Sequence, residues 1–251
     1  MTALDLGRPR EIGEILGDSL AIFRDHAAVF LTLTLVIVAP AGLLVDGVWG
    51  RALADGADSK GPPAQRYTAL FLTAYLLPTL VTAMIVRVVE GIGRGEAPTA
   101  GQALRRAAPI VLPTLVVVAV AGFGVALGLL ALIVPGVYLA IAWFFAAQVV
   151  VLEGLRGPRR ALGRSRQLVK HLWGHVFVVL LVSGILFSLL GAFIQLLGAA
   201  GGPALYVAGL IVGQAVALSL TAIAGTLLYF DVRARKGEPW RPEPRPPAPA
   251  S

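Results

Sequence analysis

The sequence has no cysteine and few charged residues. The lack of cysteine excludes a disulfide framework and thiolate metal sites. Charged residues make up 14% of the 251 positions, whereas about 25% is usual in soluble proteins. With 57% hydrophobic residues and a mean hydropathy of +0.81, the chain has too little polar surface to cover a soluble core. These deficits predict a membrane protein.

Motifs for catalysis and metal binding are missing as well. The sequence has no glycine-rich phosphate loop after a strand, no Ser-His-Asp arrangement and no zinc-protease motif. His171 and His175 are four residues apart, which would place them on one helical face, but no third ligand is near them in sequence. We therefore expect no catalytic residue, no cofactor and no metal, and a protein that is not an enzyme.

Apolar stretches dominate the chain. A helix needs about 20 apolar residues to cross a hydrocarbon core of about 30 Å. Six stretches reach or approach that length and predict an all-α, polytopic transmembrane bundle: 27–48, 68–89, 110–134, 137–151, 176–197 and 205–230. Turn signals at Pro135-Gly136 and Gly201-Gly202-Pro203 predict two tight helical hairpins. Gly184, Gly191 and Gly198 recur at seven-residue spacing, as small residues do where membrane helices pack closely.

Basic residues lie almost entirely on one side of these spans. Of the 21 lysines and arginines, only Arg51, Lys60 and Arg66 fall on the other side. The positive-inside rule then places both termini in the cytoplasm. The N-terminal segment mixes acids and bases without a long apolar run, so we expect no signal peptide. The preference for arginine over lysine is typical of GC-rich bacterial genomes, and the prediction is a multi-pass protein of a bacterial plasma membrane.

A weak pattern repeats three times. A short amphipathic helical pattern, opened by a proline, precedes each pair of spans, at Pro9, Pro98 and Pro158. An acid closes each pair, at Glu90, Glu153 and Asp231. This predicts three pseudo-repeats of interfacial helix and transmembrane hairpin, with the short helix lying apolar face down in the head-group plane. The alternative is that each short helix is only a stub of its span. The predicted domain covers 1–236, and the Pro-rich segment 237–251 is expected to be a disordered cytoplasmic tail.

Three sets of polar residues are candidates for function. Basic residues of the short helices are candidate contacts for anionic lipid head groups: Arg159, Arg160, Arg164, Arg166, Arg105 and Arg106. Glutamines within spans are candidate intramembrane contacts, as helix-to-helix hydrogen bonds or as the lining of a pathway: Gln148, Gln195 and Gln214. The acids that close the units are expected to form interfacial ion pairs: Glu90, Glu153 and Asp231.

The fourth span carries a resemblance to a known family. The stretch 133–154, IVPGVYLAIAWFFAAQVVVLEG, is followed by Arg156-Gly157-Pro158 and by ALGRS at 161–165. With the opening RPREIGEIL at 8–16 and Tyr229-Phe230-Asp231, it resembles the glycerophosphoryl diester phosphodiesterase membrane-domain family of bacterial proteins. Some members fuse this domain to a phosphodiesterase barrel, whose catalytic acids and histidine this sequence lacks. The resemblance therefore implies the membrane architecture and no phosphodiesterase activity.

Three functions stay open at this point. The first is a non-catalytic membrane protein whose basic helices bind anionic lipid or a membrane-protein partner. We expect no nucleic acid, because the basic residues lie between apolar spans. The second is a transporter or permease for a small molecule or lipid, which needs a polar cavity faced by Gln148 and Gln214. The third is a membrane-embedded lipid-modifying enzyme, which needs Glu90, Glu153 and His171 to converge on one substrate atom.

Overall fold

The computed structural model describes residues 5–42 and 77–240. Every regular element in these two ranges is a helix, which confirms the all-α prediction for this part of the chain. The helices are α1 Ile12–Asp25, α2 Ala27–Gly42, α3 Leu77–Gly93, α4 Ala100–Ala131, α5 Ile133–Ala142, α6 Ala146–Glu153, α7 Pro158–Val169, α8 Trp173–Ala199 and α9 Pro203–Arg235.

Four helical segments in the described ranges are long and apolar enough to cross a membrane. They are α4, the α5–α6 pair, α8 and α9. A fifth is obtained if α1 and α2, which meet at an angle of 86°, form one broken span. The predicted spans 27–48 and 68–89 extend into 43–76, which lies outside the described residues. The count of six therefore stays a prediction, while four to five apolar helices are typical of a membrane protein.

The outer helices present apolar side chains on their surface. On α4, Leu112, Phe123 and Leu130 are 71%, 69% and 83% exposed, and α8 likewise exposes Leu189 and Leu196. A soluble monomer rarely leaves so large an apolar surface in water. Hydrocarbon around these helices would remove that cost.

The C-terminal half of α9 lies at the centre of the bundle. Every residue from 222 to 232 is buried, and this helix packs against α8, α2, α3 and α1. Tyr229 and Phe230 are fully buried, and their rings meet Phe145 and Trp240 edge to face. Because partners surround this part of α9, its sequence is apolar on nearly every side.

The turn between α4 and α5 lies at Leu132, three residues before the predicted turn at Pro135-Gly136. Leu132 has an extended conformation, with φ −164° and ψ 148°, and caps both helices. Pro135 lies in the first turn of α5, where its missing N–H costs no intrahelical bond. Gly136 lies where the helices approach closely, because a Cβ on Gly128 would be 2.9 Å from the Gly136 Cα. The hairpin forms, but the turn position was predicted wrongly.

The second predicted turn is confirmed. Gly202 has a φ of +94°, which favours glycine, and Pro203 is the first residue of α9. Two of the three spaced glycines of α8 contact α9 closely. A Cβ on Gly191 would lie 2.7 Å from the Gly213 carbonyl oxygen, and one on Gly198 would lie 3.0 Å from the Gly209 Cα, whereas Gly184 has open space.

The short helices ahead of the spans are not three equal units. α1 is separated from α2 by a sharp bend, and α7 is separated from α8 by residues 170–172. The second short helix is instead the beginning of α4, which runs without a break from Ala100 to Ala131. The Thr99 hydroxyl accepts from the Gln102 N–H at 3.3 Å and caps it. The stub alternative therefore holds for this unit, and the pseudo-repeats are not confirmed.

Protein covers the apolar faces of α1 and α7. Ile15 and Ile22 of α1 are buried, and this helix packs against α9. Ala161 and Leu168 of α7 are buried, and this helix packs against α4, α5 and α6. These side chains contact other helices, so they do not face the membrane as predicted.

The chain beyond α9 stays packed as far as Trp240. The Trp240 ring lies 5.9 Å from the Phe230 ring, and Glu238 forms an ion pair with Arg164. The prediction therefore places the start of the disordered tail too early, at 237. Residues 241–251 lie outside the described part of the chain.

Candidate functional site

α7 begins at a proline and presents two different faces. Gly157 is its N-cap and Pro158 its first residue, where proline fits without losing a hydrogen bond. The inner face is buried and consists of Ala161, Leu162, Ser165, Leu168 and Val169. The Ser165 hydroxyl donates to the Ala142 carbonyl at 2.9 Å, and Lys236 donates to the Gln167 carbonyl. These contacts fix α7 against α5 and the end of α9.

The outer side of α7 and its flanks form a basic cluster, defined here as Arg156, Arg159, Arg160, Arg166 and Lys170. All five residues are exposed. None of them has an acidic partner within the described ranges. The cluster begins three residues after the end of α6 at Glu153 and ends three residues before α8 begins at Trp173. Two candidate membrane spans therefore hold it on one side of the bundle.

Arg164 differs from its neighbours on α7. Its Nε donates to Glu153 at 2.9 Å, and its Nη atoms donate to Glu238. The hydrogen bond to Glu238 raises the pKa of Arg164, and the guanidinium in turn lowers the pKa of Glu238. Arg164 was predicted to contact lipid, but its guanidinium donates to two carboxylates instead. These hydrogen bonds connect α7 to α6 and to the segment after α9.

Arg105 and Arg106 lie in the first turns of α4, and both are exposed. Arg106 pairs with Glu96 at 2.8 Å, whereas the structure gives Arg105 no acid in the ranges it describes. These two residues lie on a helix that packs against α7.

Each acid that closes a predicted unit has a basic partner. Glu90, which is 6% exposed, pairs with Arg87 at 2.9 Å and with Arg94 at 2.6 Å. Glu153 pairs with Arg164 and also accepts from the Tyr229 hydroxyl at 2.7 Å.

Asp231 is the most enclosed of the three acids. It is fully buried and accepts from the Arg10 backbone N–H at 2.7 Å, from His175 Nε2 at 2.8 Å and from Arg235 Nε at 2.9 Å. The ion pair of Asp231 with Arg235 could be predicted from the sequence, because the two residues are four positions apart on the same helix. Arg10 and His175 carry no local signal of this contact, and sequence reasoning missed both.

The three glutamines have three different environments. Gln148 is 2% exposed, and its Oε1 has no hydrogen-bond partner in the described structure. Gln195 Nε2 donates to the Tyr206 hydroxyl at 3.3 Å, which joins α8 to α9. Gln214 is exposed on α9. The predicted pair of Gln148 and Gln214 therefore does not line one pathway.

The residues required for the enzyme hypothesis do not share a partner. Glu90 and Glu153 each bind a different set of arginines. His171 lies in the connection before α8 with a φ of 69°, so the prediction that it shares a helical face with His175 is wrong. The described ranges contain no group of three acids or histidines that could hold a metal. The arrangement can bind anions and form ion pairs.

The chain matches no family model, no curated protein and no solved structure. Its likeness to the phosphodiesterase membrane-domain family stays a prediction from the residues of 133–165 and the two ends of the bundle. The function must therefore be argued from the site itself.

Proposed function

We propose that this chain is a non-catalytic, multi-pass plasma-membrane protein that binds the phosphate groups of anionic lipids through the basic cluster. The observation that carries the proposal is the group of five exposed cations, which have no acidic partner in the described part of the chain and lie between the end of α6 and the start of α8. Basic residues next to a membrane helix are attracted to anionic lipid by about 1 kcal/mol each.

The rest of the charge distribution supports this proposal. Arg8, Arg24 and Arg106 each have an acid within 3.1 Å, so their charge is partly compensated. No acid in the described ranges pairs with the cluster residues, and they lie on or beside α7, whose inner face is fixed by packing. A preorganised basic face loses little side-chain and backbone freedom when it binds a phosphate. We extend the proposal to six spans with both termini in the cytoplasm, in line with the positive-inside rule.

The proposal is tested by native mass spectrometry of the chain in nanodiscs of phosphatidylglycerol and phosphatidylcholine. We expect the wild-type protein to retain phosphatidylglycerol well above its bulk share. The variant Arg159→Ala, Arg160→Ala, Arg166→Ala should reduce that enrichment by about tenfold or more, since each cation contributes about 1 kcal/mol.

The matched control is Arg8→Ala, Arg24→Ala, Arg106→Ala, which removes the same charge from positions that have acidic partners. It should keep most of the enrichment. Equal loss in both variants would show that net charge alone is responsible, and unchanged retention in the cluster variant would contradict the proposal directly.

A further inference from the structure

The span formed by α5 and α6 is interrupted in its middle. Residues 143–145 form a turn between the two helices, and the Phe144 N–H donates to the Ile141 carbonyl at 3.3 Å, three residues back. Ser165 of α7 donates to the Ala142 carbonyl beside the break. Inside a membrane, such an interruption is tolerated where it is buried in protein or lines a cavity.

A cavity of about 450 Å³ lies beside this break. α3, α4, the α5–α6 break and α9 form its walls, and its lining includes Ala121, Val125, Ala140, Trp143, Phe144 and Gln148. The residues that line it include no charged side chain in the described part of the chain. Ligand cavities in proteins are about 300 to 1,000 Å³, so this space can hold part of a lipid molecule.

Gln148 lines this cavity and carries an unpaired hydrogen-bond acceptor just beneath the lining surface. Its side chain is 2% exposed, and its Oε1 has no partner in the described structure. Buried polar atoms are nearly always paired, because an unpaired one loses the hydrogen bond it made with water. The Thr221 hydroxyl also lines the cavity, but it donates to the Ala217 carbonyl of its own helix at 2.8 Å. A ligand with a donor group would satisfy Gln148 once the side-chain amide turns toward the cavity.

We propose that this cavity binds a neutral lipid with one hydroxyl group, whose O–H donates to Gln148 Oε1. A charged head group is disfavoured, because burial of a charge without a partner is very costly. Gln148 precedes Glu153 by five residues, which is about 7 to 8 Å of helical rise. The hydroxyl would then lie a short distance inside the level of the ion pairs, and the hydrocarbon chain would lie against the apolar walls. The proposal is independent of the basic cluster, whose residues do not line this space.

The test uses the full chain in phosphatidylcholine nanodiscs that contain either 1,2-dioleoylglycerol or its 3-O-methyl ether. The ether replaces the hydroxyl hydrogen by a methyl group and so removes the donor, and it therefore measures what the apolar walls retain without a hydrogen bond. Native mass spectrometry should find the diacylglycerol enriched about two- to tenfold over the ether, the range that one neutral hydrogen bond provides. Gln148→Leu, which keeps the side-chain size and removes the acceptor, should abolish that preference.

A second variant keeps the test decisive if Gln148→Leu does not fold. Ala140 is exposed at the cavity, so Ala140→Phe narrows the space without burying a larger side chain in the core. It should reduce retention of both lipids. Equal retention of alcohol and ether by the wild-type protein would overturn the proposal, because Gln148 would then be satisfied by water or the space filled by bulk lipid chains.

Discussion

At the scale of the residue, Asp231 shows how one buried carboxylate joins distant parts of the chain. Its partners Arg10 and His175 lie 221 and 56 residues away in sequence, and only Arg235 is local. A buried carboxylate that lost these donors would remain desolvated without compensation. Asp231 therefore joins the segment before α1 to the start of α8 and to the end of α9.

The variant Asp231→Asn tests this role. The amide keeps the size of the side chain but presents N–H groups where donors already converge. We expect it to lower the free energy of unfolding by about 3 kcal/mol, the cost of breaking a buried ion pair. Thermal unfolding in detergent measures the effect.

The control for this prediction is Asp25→Asn. Asp25 pairs with Arg24 at 3.1 Å, but their side chains are 54% and 80% exposed, so the loss should be below about 1 kcal/mol. Similar destabilisation by both substitutions would mean that Asp231 does not act as a buried anchor.

At the scale of the element, the α8–α9 hairpin depends on close approach of backbones. Gly191 of α8 faces Gly213 of α9, and Gly198 faces Gly209. The seven-residue spacing predicted such contacts for three glycines, but Gly184 has none within 4 Å. Spacing identifies the face of a helix, whereas the path of the neighbouring helix decides how much of that face is covered.

Gly191→Ala and Gly184→Ala form a matched pair on α8. A Cβ at Gly191 would meet the Gly213 carbonyl at 2.7 Å, and forcing the helices apart should cost about 1 to 3 kcal/mol. Gly184→Ala meets no atom and should stabilise the helix by about 0.5 to 1 kcal/mol. Opposite shifts of the unfolding midpoint are expected, and a shift of the same sign and size for both would contradict this packing.

At the scale of the whole molecule, the central prediction is the side of the membrane on which each connection between helices lies. The basic cluster and the first turns of α4 are expected on one side, and the α4–α5 and α8–α9 turns on the other. Between α1 and α4 the chain passes through 43–76, outside the described residues. The two predicted spans 27–48 and 68–89, which this segment joins, would return α4 to the side of α1.

Labelling of single cysteines tests this arrangement, and the absence of native cysteine means that no background must be removed. Arg24→Cys, Gln102→Cys and Gln167→Cys should be inaccessible to an impermeant maleimide added outside intact cells. Leu132→Cys and Ala200→Cys should react with it. If Arg24→Cys and Gln102→Cys report opposite sides, the number of crossings between them is odd and the six-span prediction fails.

Much of the architecture could be predicted because its causes are local. A long apolar run excludes a water-exposed helix, and Gly202 with Pro203 provides the φ angle and the helix start that a turn requires. The helical class and the α8–α9 turn follow from such local chemistry. The α4–α5 turn was misplaced because Pro135 and Gly136 fit equally well into the first turn of a helix that packs closely.

The sequence alone determined the all-helical class, the apolar helices and the uneven distribution of charge, since each follows from composition and periodicity along the chain. Only the tertiary structure decided which arginines of the described ranges lack an acidic partner and which glutamine is buried with an unpaired oxygen. Arg164 and Arg166 look alike in sequence, but only Arg164 reaches the carboxylates of Glu153 and Glu238. Likewise Gln148 and Gln214 differ only in what packs around them. Long-range contacts set burial and pairing, and no local pattern encodes them.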